Sequence, residues 1–144
     1  MKFLTIYGRV KTVLGKGGVF VRLKESGEMY LETIYVLLKK QGSVRAIDVG
    51  EHMGYSKPSV SRAMGLLKEA ALICVSSDGT ITLTAEGLAV AEKIYRRHIM
   101  LSEFLQSIGI PDDIASEDAC KIEHYISDTT YDAIKAHMDK IKKL

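Results

Sequence analysis

The sequence predicts a mainly α-helical protein that carries an N-terminal winged helix-turn-helix and a helical C-terminal region. Three observations predict it. Two short helical patterns flank Gly54-Tyr55-Ser56-Lys57-Pro58; two runs rich in Ile, Val and Thr flank Asp78-Gly79 directly after the second pattern; and from Ala85 onward the chain reads as helices interrupted at Gly109 and Pro111.

Residues 1–24 are basic and broken by Gly8, Gly15, Gly17 and Gly18, without a sustained helical period, and read as an extension, disordered or an over-long start, ahead of the folded chain. Between Gly27 and Gln41 the apolar residues Leu31, Ile34, Tyr35, Leu37 and Leu38 recur at helical spacing, with Gly42 as a stop. In the helix-turn-helix, Val49 and Met53 mark the first helix, and Val60, Met64 and Leu67 the second. Gly54 suits the turn, Ser56 can cap the second helix, and Pro58 sits in its first turn, where a missing amide donor costs little. Asp78-Gly79 supplies the positive backbone angles of a tight hairpin, and a hairpin directly after a helix-turn-helix is a wing. A long helix follows Thr84, then two more over the segments PDDIASEDACKIEHYIS and DTTYDAIKAHMDKIKKL, with Thr84 and Asp128 as N-caps. The expected organisation is a basic extension over 1–24, a winged helix-turn-helix over 25–92 and a helical region over 93–144.

A chain of 144 residues, 47% hydrophobic and 26% charged, can bury one core or a small domain plus a helical appendage. Two cysteines, Cys74 and Cys120, are too few for a disulfide scaffold and read as reduced thiols. No stretch approaches the roughly 18 apolar residues of a membrane span, and the N-terminus has no secretory leader pattern, so a cytoplasmic protein is expected. The net charge of +2 is unevenly placed. Residues 1–24 hold six of the 20 Lys and Arg and no acid, so the rest carries 14 cations against 18 anions, a balance of −4. Contact with nucleic acid must then come from locally placed cations and from pairing of subunits.

Such a local face exists on the second helix of the helix-turn-helix. Ser56, Lys57, Ser59, Ser61 and Arg62 place short donors and cations at its N-terminal end. Hydroxyls and the helix N-terminus suit phosphates, Arg62 can fork onto a guanine, and Pro58 offers apolar contact to a thymine methyl. A solvated helix on a protein-binding winged helix is the competing reading, and the co-occurrence of wing and basic face favours DNA.

Cys120-x-x-Glu123-His124 is the second constellation. Spacings of three and four put thiolate, carboxylate and imidazole on neighbouring turns of one helix face, and all three are metal-ligand types. A buried cysteine, a surface glutamate and a packed histidine would account for the same residues. Met29 and Glu32 lie one turn apart on the first helix, and His98 projects from the long one; core packing and a hydrogen-bonded structural histidine are their alternatives.

The segments GEMYLETIY, GYSKPSVSRAMGLLK, DGTITLT, IYRRHIMLSEFL and EDACKIEH, in this order from about Lys24 to Asp128, together resemble the diphtheria toxin repressor family of iron- and manganese-dependent regulators. The resemblance implies a homodimer whose winged-helix domain binds a palindromic double-stranded operator and whose helical domain dimerises, with Fe(II) or Mn(II) as corepressor. It implies no organic cofactor. The ligands of the iron branch fall on Met29, Cys120, Glu123 and His124. Glu32 resembles the manganese regulators, and His98 is common to both branches. In the iron branch an ancillary metal site uses a glutamate and a second histidine where this chain has Ser102 and Ser116; Glu32, His98 and Glu103 or Glu117 could rebuild such a site differently. The organisation is similar to that of the shorter, two-domain manganese regulators.

A winged-helix regulator without metal control has no use for Met29, His98, Cys120, Glu123 and His124 together. An enzyme needs an open coordination position and a poised acid or base, and no nucleophile elbow, phosphate loop or HExxH pattern occurs. The expected function is a metal-dependent repressor of metal-ion homeostasis genes, not an enzyme.

Overall fold

A computed structural model describes residues 11–14, 20–23 and 25–144. Its elements are β1 (Lys11–Leu14), β2 (Phe20–Leu23), α1 (Glu25–Gln41), α2 (Ala46–Met53), α3 (Lys57–Glu69), β3 (Ile73–Val75), β4 (Ile81–Leu83), α4 (Ala85–Ser107), α5 (Asp112–Ile122) and α6 (Asp128–Lys142). The chain divides into two compact units between Glu92 and Lys93.

The reading of residues 1–24 as an unstructured extension is corrected at two places. β1 and β2 pair antiparallel, from Lys11 opposite Leu23 to Leu14 opposite Phe20. Val, Leu, Phe and Thr make up six of the eight residues of the two runs and suit a pleated pair. Residues 1–10, 15–19 and 24 lie outside the described residues.

In the first unit, Tyr30, Leu31, Ile34, Tyr35 and Leu37 of α1 are buried together with Val49 of α2 and Val60, Met64 and Leu67 of α3. Each such side chain contributes about 1.5–3 kcal/mol when fully removed from water. Gly54 ends α2 with φ +68, a left-handed turn that lets α3 start three residues later. The Tyr30 and Tyr55 rings meet edge-on at 5.9 Å and tie α1 to this turn. Ser56 caps α3, its Oγ accepting from the Ser59 amide at 3.4 Å, and Pro58 sits in the first turn.

The wing pairs Ile73 with Leu83, Cys74 with Thr82 and Val75 with Ile81. Ile73 and Ile81 face the core, while Cys74 and Thr82 are exposed. The tight hairpin expected around Asp78-Gly79 is instead a longer loop in which Gly79, but not Asp78, takes positive φ. Asp78 supplies a carboxylate in place of a left-handed backbone: it accepts from the Ser76 hydroxyl and from the Thr80 amide at 3.0 Å. Those bonds hold its carboxyl down at about 2. Arg45, just before α2, donates to the Asp78 carbonyl at 2.5 Å, and the Ile81 amide donates to the Val44 carbonyl at 2.7 Å. The wing is thereby anchored to the start of the helix-turn-helix. Thr84 caps α4 as expected, accepting from the Gly87 amide at 3.0 Å. Gly87 is demanded by proximity, since a Cβ there would lie 1.9 Å from the Leu72 carbonyl oxygen.

In the second unit, Ile94 and Leu101 of α4, Ala115 and Ala119 of α5, and Met138 of α6 are buried. Lys142 pairs with Glu103 at 2.7 Å, joining the ends of α6 and α4. The expected cap of α6 is corrected by one residue. Ser127 accepts from the Thr130 amide at 3.2 Å, whereas the Asp128 carboxylate is taken by Arg97. Among the described residues, no helix is long and apolar enough to cross a membrane.

Candidate metal centre and nucleic-acid interface

The period of α3 separates its two faces. Val60, Met64 and Leu67 are buried, and Ser56, Lys57, Pro58, Ser59, Ser61 and Arg62 are all exposed. No acidic residue lies in the first turn, so the positive end of the helix dipole and Lys57 act in the same direction on an anion. Ser56 Oγ donates to Ser59 Oγ at 2.9 Å, which orders two of the hydroxyls.

In the second unit the structure gathers His98 from α4 with Cys120 and Glu123 from the end of α5, their ligand atoms all within 4.8 Å of one another. The expected single helix face is not what carries the motif. α5 ends at Ile122, Glu123 is its C-cap, and His124 lies in the turn beyond. The Tyr125 and Ile126 amides both donate to the Ile122 carbonyl, each at 3.0 Å, so the chain tightens there and swings Glu123 and His124 inward. Glu123 is 0% and His124 2% exposed. Glu123 Oε2 lies 2.9 Å from His98 Nδ1, and Oε1 lies 3.2 Å from His124 Nε2. A fully buried carboxylate between two imidazoles requires positive charge nearby.

Hydrogen bonds to Cys120 and Glu123 outweigh burial and raise His98 to about 10. A protonated His98 places one positive charge beside the Glu123 carboxylate. The thiol, carboxylate and imidazoles fit a divalent first-row transition metal, which takes mixed sulfur, nitrogen and oxygen donors. His98 Nε2 faces Ser116 Oγ at 3.4 Å. Ser102, four residues after His98, is buried, and its hydroxyl finds no hydrogen-bond partner among the described residues. Met29 and Glu32 belong to the first unit, half-buried and three residues apart on α1.

Sequence reasoning missed Arg97. It is buried to 1% exposure, and its guanidinium sits on the turn that carries Glu123 and His124. A usable signal existed: position 97 falls three residues after Ile94 and four before Leu101, on the buried stripe of α4.

A helix-turn-helix with a wing, in one chain with a helical unit that gathers imidazole, thiol and carboxylate, defines a DNA-binding regulator with a metal site. Two family models match the chain: the iron dependent repressor N-terminal DNA binding domain over residues 22–80, and the iron dependent repressor metal binding and dimerisation domain over residues 84–143. The chain belongs to the iron-dependent repressor family, whose members are metal-dependent transcriptional regulators. It is 32% identical over 111 residues to the transcriptional regulator MntR of Escherichia coli, covering 77% of this chain and 72% of that one. The diphtheria toxin repressor of Corynebacterium jeikeium is 31% identical over 107 residues, 74% of this chain and 45% of the relative. A solved manganese-dependent transcriptional repressor in complex with manganese superposes with a TM-score of 0.73 at 29% identity, over 78% of this chain and 52% of that one. The chain thus spans about half the length of the solved regulators it matches.

Proposed function

We propose that the chain is a cytoplasmic, homodimeric repressor of metal-ion homeostasis genes that binds a palindromic operator when Fe(II) or Mn(II) is present. The observation that carries this reading is the convergence of His98, Cys120 and Glu123 in the unit that matches the metal-binding and dimerisation domain. His124 follows Glu123 into the same buried turn, and Met29 and Glu32 are the ligands proposed for the first unit on the strength of the sequence resemblance. When bound, the ion supplies a fixed cross-link between side chains of different helices. The centre is read as regulatory and not catalytic.

The protein's own residues do the rest. Glu123 Oε2 bonds His98 and Oε1 lies beside His124, so one carboxylate sits against both imidazoles. His98 gives up its proton on metal capture, which couples occupancy to pH. Cys120 and Met29 are softer donors than carboxylates and favour Fe(II) over Mn(II). Ser56, Lys57, Ser59 and Ser61 fix α3 on the phosphates, while Arg62 and Pro58 read base edges. In a dimer the two recognition helices must reach major grooves about 34 Å apart, so any restriction of their mutual orientation that matches this spacing raises affinity by population shift. The deciding experiment is operator binding by the full chain, metal-free and with Fe(II) or Mn(II) under anaerobic conditions. Tighter binding with metal supports the reading, and equal binding removes it.

A further inference from the structure

We propose that Arg97 is the positioning residue of the metal centre: it fixes the backbone of Glu123 while its neighbour His98 holds the Glu123 carboxylate. The inference rests on the metal-centre reading above. Arg97 Nη1 donates to the carbonyl oxygens of Ile126 at 3.1 Å and Glu123 at 3.4 Å, and Nη2 donates to the Asp128 carboxylate. Its guanidinium carbon lies 5.0 Å from the centre of the Tyr131 ring. One planar fork therefore spans the whole connection from the end of α5 to the first turns of α6.

The physical need is clear on both sides. The carbonyls that Arg97 meets belong to Glu123, the C-cap of α5, and to Ile126 in the turn beyond, where the negative end of the helix dipole favours a cation. A cation buried at 1% exposure needs acceptors, and two carbonyls and a carboxylate supply them at its two terminal nitrogens, while Nε has no hydrogen-bond partner among the described residues. A lysine ammonium is a point charge and cannot serve three acceptors spread along a turn as a rigid fork does. Successive residues on a helix point about 100° apart, so Arg97 and His98 cannot reach the same atom. They reach one residue by two routes: Arg97 through the carbonyl oxygen, His98 through Oε2. The turn is thereby ordered before metal arrives, and the cost of ordering Glu123 and His124 falls on folding instead of on binding.

The test uses Co(II) alone as probe on the full chain, comparing wild type with Arg97→Gln and Arg97→Lys. Circular dichroism and thermal unfolding of the metal-free proteins count the folded fraction. Arg97→Gln is expected to weaken Co(II) binding about 10- to 100-fold at equal folded fraction, as loss of a partner that orients a ligand does, and to alter the Co(II) visible spectrum. Excess metal is expected to restore operator affinity to the wild-type value, since no ligand atom is removed. Arg97→Lys keeps the charge and is expected to lie between the two; it decides the question if Arg97→Gln does not fold. Unchanged Co(II) affinity and spectrum in a folded variant overturn the role of Arg97. A wild-type protein that shows no thiolate-to-Co(II) charge-transfer band overturns the metal centre itself, and with it this role.

Discussion

His98 Nδ1 lies 2.9 Å from Glu123 Oε2, with Cys120 beside both, in an arrangement that keeps His98 protonated up to about 10. The raised value means that the protonated ring is favoured at neutral pH and that a metal must displace this proton. Apparent metal affinity is therefore expected to rise with pH, by about tenfold per unit for each proton released, throughout pH 6–8. Co(II) titrations over that interval measure the slope. A flat profile would mean that the imidazole of His98 is not given up to the metal.

Arg62 stands exposed on α3, two residues beyond the buried Val60. Arg62→Ala is expected to weaken specific operator binding by about 1–3 kcal/mol and to leave metal affinity unchanged. Binding assays at fixed salt decide it, because loss of a phosphate contact alone would weaken all sequences equally. An unchanged preference for operator over random DNA would take Arg62 out of base readout.

Gly87 passes the Leu72 carbonyl so closely that an added Cβ has no room. Gly87→Ala must shift α4 away from the strand that begins at Ile73, and the overpacking is expected to destabilise the first unit by about 3 kcal/mol. Urea unfolding gives the number; a midpoint like that of the wild type would show that the backbone yields freely there.

Much of this architecture is legible in the sequence, and the reasons are local. Helices α1 to α3 announce themselves through apolar spacing, and Gly54, Ser56 and Pro58 mark the turn with residues whose chemistry the turn requires. The strands β1 and β2 escape because four-residue runs on either side of a glycine-rich segment carry too short a pattern to separate from loop. The α6 cap is misread because Ser127 and Asp128 are both capping types, and only the folded chain shows that Arg97 occupies the carboxylate. Ligand types at Cys120, Glu123 and His124 are readable, but the end of α5 among them is not, since no glycine or proline marks it. The meeting of His98 with Cys120 and Glu123 is a tertiary fact, reached from the sequence only through family resemblance.

Cys120 is the softest donor of the centre, and its exchange tests whether softness sets metal preference. Cys120→Glu replaces a thiolate by a carboxylate and is expected to shift relative activation of operator binding from Fe(II) toward Mn(II). Anaerobic titrations with each ion compare the two. An unchanged ratio would assign selectivity to geometry or coordination number.

The most direct measurement is metal-dependent operator binding by His124→Ala beside the wild type. His124 is 2% exposed in the second unit, while the winged helix keeps its own core in the first, so the metal-free variant is expected to stay folded by circular dichroism. Wild-type affinity for the operator is expected to rise on addition of Fe(II) or Mn(II), and the His124→Ala protein to remain at its metal-free level. A folded His124→Ala protein that responds to metal as fully as the wild type would contradict a regulatory centre built on Glu123 and His124.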